Sequence, residues 1–403
     1  MMESPAFFRA VRITVISGLL GAAFAAPASA RGFQVIHDFT NGADGGVPPY
    51  TLVLNKKDQL IGAANEGGTN NAGVVFRMKQ GKAGWSLKPL YNFDGADGQP
   101  GWGVTRNQGS IYSNASYASV FGGPCGSAMQ INHANGTWQG VLMWTYTKDI
   151  DGCPTGNLVL DSAGNAYGVT QNGGPNGWGA VVELSPSGSS WTETILYAFT
   201  GGSDGGSPYS GLVFDNAGNL YGATTRAGNS GCGQGCGTVF ELSPSQSGWT
   251  YQVLYTFQGG NDGGQPTAGL IFDTAGNLYG AAESYGANGG GTVFELSPSN
   301  GSWTFNLLTS MTGSGGPVAA LTLAPSGAIY GTNFFDGADG YGSVFKLTSS
   351  GGTWTYKNLH DFTGSADGGY PGGGITLDRQ GNAYGTTVLG GADNYGVVYE
   401  IGK

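Results

Sequence analysis

The chain has 403 residues, 78 of them glycine, with only 10% charged residues, a formal net charge of -10 and a pI ≈ 4.6. No Gly-X-Y period runs through it, which excludes collagen, and 39% hydrophobic with 12% aromatic content argues against simple disorder. A charge-poor acidic chain offers no broad basic surface, so nucleic acid is not an expected partner.

Residues 1–30 read as a signal peptide. Arg9 and Arg12 precede the apolar run from Ile13 to Ala26, and Ala28-Ser29-Ala30 supplies the small-x-small pattern for cleavage after Ala30. No second apolar stretch of about twenty residues follows, so no membrane span is expected. The mature protein is expected to be exported, whether secreted, periplasmic or at the cell surface. No cysteine follows the cleavage site, so no lipoprotein anchor is expected, and Lys403 follows a strand directly, with no anchor segment in view.

Residues 31–403 read as one domain of seven repeats. The unit is clearest where Gly269 opens GLIFDTAGNLYGAA, followed by GGGTVFELSPSNGSWTF, and it recurs at Gly211 and Gly374 and, more worn, at Asn157, Ala320, Gly103 and Thr51. The anchor positions Ile61, Tyr112, Tyr167, Tyr221, Tyr279, Tyr330 and Tyr384 give a period slightly above fifty, as in propeller blades. Each unit holds four short alternating runs, in the best copy Leu270 to Asp273, Leu278 to Ala282, Thr292 to Ser297 and Trp303 to Leu308. The first two are joined by Asp273-Thr274-Ala275-Gly276-Asn277 and the last two by Ser297-Pro298-Ser299-Asn300-Gly301, both read as turns. An all-β, seven-bladed propeller of four-stranded antiparallel blades follows. The last unit stops after Val397 to Ile401, and Phe33 to Phe39 matches fourth-strand sequences. The N-terminal strand is therefore expected to complete the last blade and close the ring.

The running pattern D-F-T-x-G-x-D-G-G-x-P, G-L-x-x-D-x-x-G-N-L-Y-G, G-T-V-F-E-L-S-P-S and W-T resembles the GloVer (Gloeo/Verruco) repeat of exported bacterial proteins. The match is closest in units four, five and seven. Units one and two depart from it, with Lys56-Lys57-Asp58 in the turn and Ser113 after Tyr112. The resemblance implies an export signal and a repeat propeller but no activity. The turn Asp-x-x-Gly-Asn-x-Tyr also resembles propellers of the NHL and streptogramin-lyase kind.

The connections from strand four to the next strand one, and from strand two to strand three, share one face and carry the long variable loops, so ligand binding is expected there. Aspartates at 44, 97, 151, 204, 262 and 367 (Asp44, Asp97, Asp151, Asp204, Asp262, Asp367) form a ring of Asp-Gly steps on that face. Six carboxylates suit a hard cation such as calcium, but a recurring loop cap explains their periodicity better. Trp85, Trp138, Trp191, Trp249, Trp303 and Trp354 begin fourth strands and read as inter-blade packing. Trp102, Trp178, Tyr117, Tyr285, Phe334 and Tyr341 fall in or beside the loops and are the binding candidates, with local loop packing as their alternative role. Cys232 with Cys236 and Cys125 with Cys153 are plausible disulfides; a zinc site is the rival, without a nearby histidine.

Enzymatic signatures are thin: three histidines, no nucleophile elbow and no phosphate loop. Glu183, Glu241, Glu295 and Glu400 recur on third strands and do not form an acid/base pair. The sequence thus favours a monomeric, non-enzymatic scaffold that binds glycan or protein through the loop face. The alternative is a lyase or hydrolase of an extracellular polysaccharide or small ester with a metal at the channel mouth.

Overall fold

A computed structural model describes residues 32–116, 124–313 and 315–402, and over them the chain is strand and turn without helix. Seven antiparallel sheets follow one another, one per repeat. Blade 5 sets the pattern with Ile271–Phe272, Leu278–Ala282, Thr292–Ser299 and Ser302–Ser310. Its last turn is tighter than the sequence suggested. Pairing runs on to Ser299 opposite Ser302, leaving Asn300-Gly301 alone in the turn with φ of 48° and 82°. That is the positive-φ geometry of a type I′ hairpin, whose twist matches its strands, and Asn-Gly adopts it readily. His133 lies inside the third strand of blade 2, Pro124–Ala134.

Blade 7 closes the ring as expected. Thr376–Leu377, Ala383–Thr386 and Val397–Ile401 come from the end of the chain, and Phe33–Asp38 is their fourth strand. Phe33 pairs with Ile401, Val35 with Tyr399 and Asp38 with Val397. Gln34 Nε2 adds a side-chain bond to Glu400 (2.7 Å), and Gly402 N donates to Gly32 O (2.8 Å). Closure makes Phe33–Asp38 the outer edge strand of blade 7, in the place that each other blade fills with its own fourth strand.

Strand one is innermost, because strand-one segments of successive blades bond one another. Thr376 Oγ1 of blade 7 donates to Leu52 O of blade 1, and Thr322 Oγ1 of blade 6 donates to Ile375 O of blade 7. Farther out, two aromatic layers join the blades. Phe199 meets Phe240 of the next blade at 5.3 Å and Phe257 meets Phe294 at 5.2 Å, edge to face. Trp249 packs on Tyr167, Trp303 on Tyr221, Trp354 on Tyr279 and, across the closure, Trp85 on Tyr384. Each of these four tryptophans thus leans on the tyrosine of the preceding blade, the inter-blade role expected of it, whereas the Trp138 ring meets His133 of its own blade.

The Tyr-Gly step has a packing cause. Gly280 pairs with Phe294, and a Cβ on Gly280 would come within 2.5 Å of the ring. Gly62, Gly222 and Gly331 lie under Phe76, Phe240 and Phe345 in the same way. Glycine is needed because the aromatic core of the blade occupies the space of its side chain.

Candidate functional site

The loop-face aspartates are each engaged by their own loop. Asp204 Oδ2 accepts from Thr200 N (2.8 Å) and Tyr197 OH (3.0 Å), and Oδ1 accepts from Thr200 Oγ1 (2.5 Å) and Gly202 N (3.1 Å). Asp262 takes Gln258 N, Gly260 N and Tyr255 OH in the same places. In Asp44 and Asp367 the partner seven residues earlier is His37 or His360, whose Nε2 lies 3.1 Å away. Asp97 takes Tyr91 OH and Asp94 N, and Asp151 takes Thr147 N (3.0 Å). Burial opposes the charge on Asp204, but the Thr200, Tyr197 and Gly202 donors outweigh it and hold that carboxyl below its ordinary value. Each aspartate sits beside the end of its own outer strand. Among the described residues no three His, Cys, Asp or Glu side chains converge on one point.

The loop aromatics divide into two kinds. Trp178 covers Gly201 and Gly206 of the following loop, and Tyr341 covers Gly364 and Gly369. Gly201 and Gly364 have φ near +74° and +72°, and a Cβ on either would strike the ring, so these aromatics are loop lids. The Cys232–Cys236 disulfide sits over Gly259 in the equivalent place, so a cystine substitutes there for an aromatic ring. Cys125–Cys153 is the second bridge, and no described cysteine is free. Both fit an oxidising compartment. Tyr285, 37% exposed, lies against Gly264, and Tyr117 lies outside the described residues.

Two further aromatic groups are present, and Tyr341 belongs to one of them as well as being a lid. Trp102 of blade 2 meets Tyr209 of blade 4 edge-on at 4.9 Å. Those blades are not neighbours, so the contact spans the channel mouth. Burial pushes the Tyr209 hydroxyl up to about 12, with the Glu283 carboxylate adding to it, and burial also raises Glu283. On blades 6 and 7, Phe334, Phe335 and Tyr370 form a mutually contacting cluster, with Tyr341 tilted against Tyr370 at 5.4 Å. Phe335 is 39% exposed and Tyr341 37%, and Asp336 beside them is tied to Asn333 Nδ2 (3.0 Å). The sequence candidates Phe334 and Tyr341 are therefore brought together, whereas Trp102 and Trp178 are placed elsewhere.

One half-buried acid was missed. Glu193 stands two residues after Trp191, where Tyr251, Phe305 and Tyr356 follow their own tryptophans. It lies against the buried Asp151. Burial first, and then the Asp151 charge, push its carboxyl up to about 8, and one of its oxygens is buried without a partner. An acid in an aromatic slot is visible once the seven repeats are aligned on their tryptophans.

On the opposite face the Asp-x-x-Gly-Asn turn is structural, as expected. Asp273 Oδ1 accepts from Ala275 N and Asn277 N at 2.9 Å, and Oδ2 accepts from Asn277 Nδ2 and Tyr279 OH. The third-strand glutamates join this network: Glu183 Oε1 accepts from Tyr167 OH (3.1 Å) and Ser185 Oγ (3.0 Å). Blades 1 and 2 lack the acidic network on this face, and grooves open there.

The family model of the Gloeobacter/Verrucomicrobia repeat matches residues 229–403, so the second half of the ring carries that repeat. No curated protein matches the chain. Among solved structures, a candidate 6-phosphogluconolactonase of Bacteroides uniformis shares 14% identity at a TM-score of 0.51, over 81% of this chain and 89% of that one. A candidate oxidoreductase (glucose dehydrogenase) of Thermus thermophilus shares 16% identity at 0.45, over 81% and 99%. A protein of unknown function from Dyadobacter fermentans shares 12% at 0.47, over 92% and 98%. At these identities the first likeness concerns the fold alone.

Proposed function

We propose that this propeller, whose residues 229–403 match the Gloeobacter/Verrucomicrobia repeat, is an exported recognition scaffold that binds an extracellular glycan through its loop face. The observation that carries this reading is the cluster of Phe334, Phe335, Tyr341 and Tyr370. It keeps two aromatic rings more than a third exposed in a loop that also carries Asp336 and Asp339. Flat aromatic faces bordered by acceptors suit a sugar ring, which presents C–H groups to the ring and hydroxyls to its rim. A protein ligand would use the same rings as anchors. Two disulfides and a signal-like N-terminal segment support export.

The competing reading, a metal-assisted lyase or hydrolase, draws its support from the aspartate ring and from Glu283 near the channel mouth. The aspartates already accept hydrogen bonds from their own loops, which favours the capping role. Calcium titration of Asp204→Asn with Asp262→Asn tests this directly. A calcium-dependent rise in melting temperature that the double variant loses would favour the metal reading. Retention of the purified chain on immobilised extracellular polysaccharides, lost in Phe335→Ala, tests the recognition reading. Equal retention of that variant would count against it.

A further inference from the structure

The charge of this acidic protein is not evenly spread. Seven of its 16 lysines and arginines lie between Lys56 and Arg106, in blade 1 and the start of blade 2. There the repeat's own residues are replaced. Arg77 stands where blades 3, 4, 5 and 7 have the Glu of the Glu-Leu or Glu-Ile step, Lys79 stands where blades 3, 4 and 5 have Ser, and Lys56-Lys57-Asp58 takes over the turn. Arg77 also pairs in register with Lys88, so two like charges face each other across adjacent strands, an arrangement that costs stability. The fold gains nothing evident from these departures.

They line two grooves on the turn face. The first, about 630 Å³, lies between blades 7 and 1, walled by Lys57, Lys79, Trp85, Gln80, Gln380 and Asn382 together with Asp58 and Asp378. The second, about 480 Å³, lies at the next junction, between blades 1 and 2, walled by Arg77, Arg106, Gln108, Asn132, His133 and Trp138. Each holds an indole, two cations and several amides. Asp58 is turned toward Arg379 (3.7 Å), and no described carboxylate is within ion-pair distance of Lys57, Lys79, Arg77 or Arg106. Two donors in the walls, Trp85 Nε1 and Arg106 Nε, are buried without a hydrogen-bond partner. In blade 6, by contrast, Lys346 occupies the Arg77 position but lies over the Tyr330 ring at 5.1 Å.

We propose that this surface, running across blades 7, 1 and 2 on the face opposite the variable loops, binds an acidic polysaccharide rich in uronic acids. Guanidinium forks match carboxylates in two-point geometry, lysines supply diffuse attraction, indole faces stack on pyranose rings and the amides meet hydroxyls. Two adjacent grooves fit successive residues of one chain. A nucleic acid fits less well. Asp58 and Asp378 line the first groove together with the cations, so the ligand must bring hydroxyl donors for the aspartates as well as carboxylates for the cations, which a uronate chain does and a continuous phosphate backbone does not.

The test is a tryptophan-fluorescence titration of the purified chain with a galacturonate hexamer, its methyl ester and a single-stranded DNA of similar charge. Arg77→Glu with Lys79→Ser places there the residues of blades 3, 4 and 5, and Lys57→Ala changes an exposed turn residue. Saturable hexamer binding is expected. It should weaken at least tenfold on esterification and at least tenfold in the double variant, with melting temperature retained, and it should be unchanged in Phe335→Ala on the other face. The proposal is overturned by no hexamer binding up to millimolar concentration, by equal binding of the ester, by tighter binding of the DNA, or by undiminished binding in both the double variant and Lys57→Ala.

Discussion

Glu193 gives the fold a pH dependence that a substitution can isolate. Its carboxyl has an ordinary value of 4.5 and is held at about 8 in the folded protein, by burial first and the neighbouring Asp151 second. Between those values the folded chain binds a proton that the unfolded chain has released. This contribution to stability is therefore complete below about pH 4.5 and disappears as pH rises through 8. At about 1.4 kcal/mol per tenfold, the full displacement corresponds to roughly 5 kcal/mol. Glu193 is only half-buried, and solvent screening reduces this to about 2 kcal/mol. Glu193→Gln keeps the shape and removes the charge. Thermal melts at pH 5 and pH 9 should show equal stability at the lower pH. At the higher pH the variant should melt about 2–3 °C above the parent, given the unfolding entropy of a chain this long. A variant less stable than the parent at pH 9, or shifted equally at both pH values, would refute the reasoning.

Other consequences of the packing are equally accessible. Tyr399 takes the place of the core phenylalanine in blade 7, and its hydroxyl is buried without a partner; Tyr399→Phe should stabilise by about 1–2 kcal/mol in thermal melts, and a loss would show that the hydroxyl is satisfied. Gly280→Ala places a methyl 2.5 Å from the Phe294 ring and should destabilise by about 1–3 kcal/mol, whereas a neutral result would mean that the ring moves aside. Deleting residues 31–40 removes the closing strand with the fully buried Phe39, so the melting temperature should fall by more than in either point variant. An unchanged temperature would contradict closure.

What could be read from the chain follows from how far apart the interacting residues lie. The blade pattern depends on short spacings such as Asp273 to Tyr279, and the closing strand repeats sequences found elsewhere in the chain. The roles of the fourth-strand tryptophans followed from their regular position. The loop lids were ambiguous because the glycine under Trp178 lies in the next blade's loop, so that only the three-dimensional contact separates a lid from a free platform. The turn-face grooves were hidden more deeply. Asp378 and Lys57 share a wall only because the ring closes, more than three hundred residues apart in the chain. The substitutions that mark the place, Lys56-Lys57-Asp58 among them, look like mere wear of the repeat when taken along the sequence. Glu193 was legible in principle, as an acid where its counterparts are aromatic.

The central claim, that the loop face recognises glycans through the aromatic cluster of blades 6 and 7, is met most directly by a glycan array probed in parallel with the parent chain and with Phe335→Ala. A saturable signal for a defined glycan that the folded variant loses is the predicted result. A folded parent that retains no glycan, or a variant that binds the same glycan equally well, would contradict the claim.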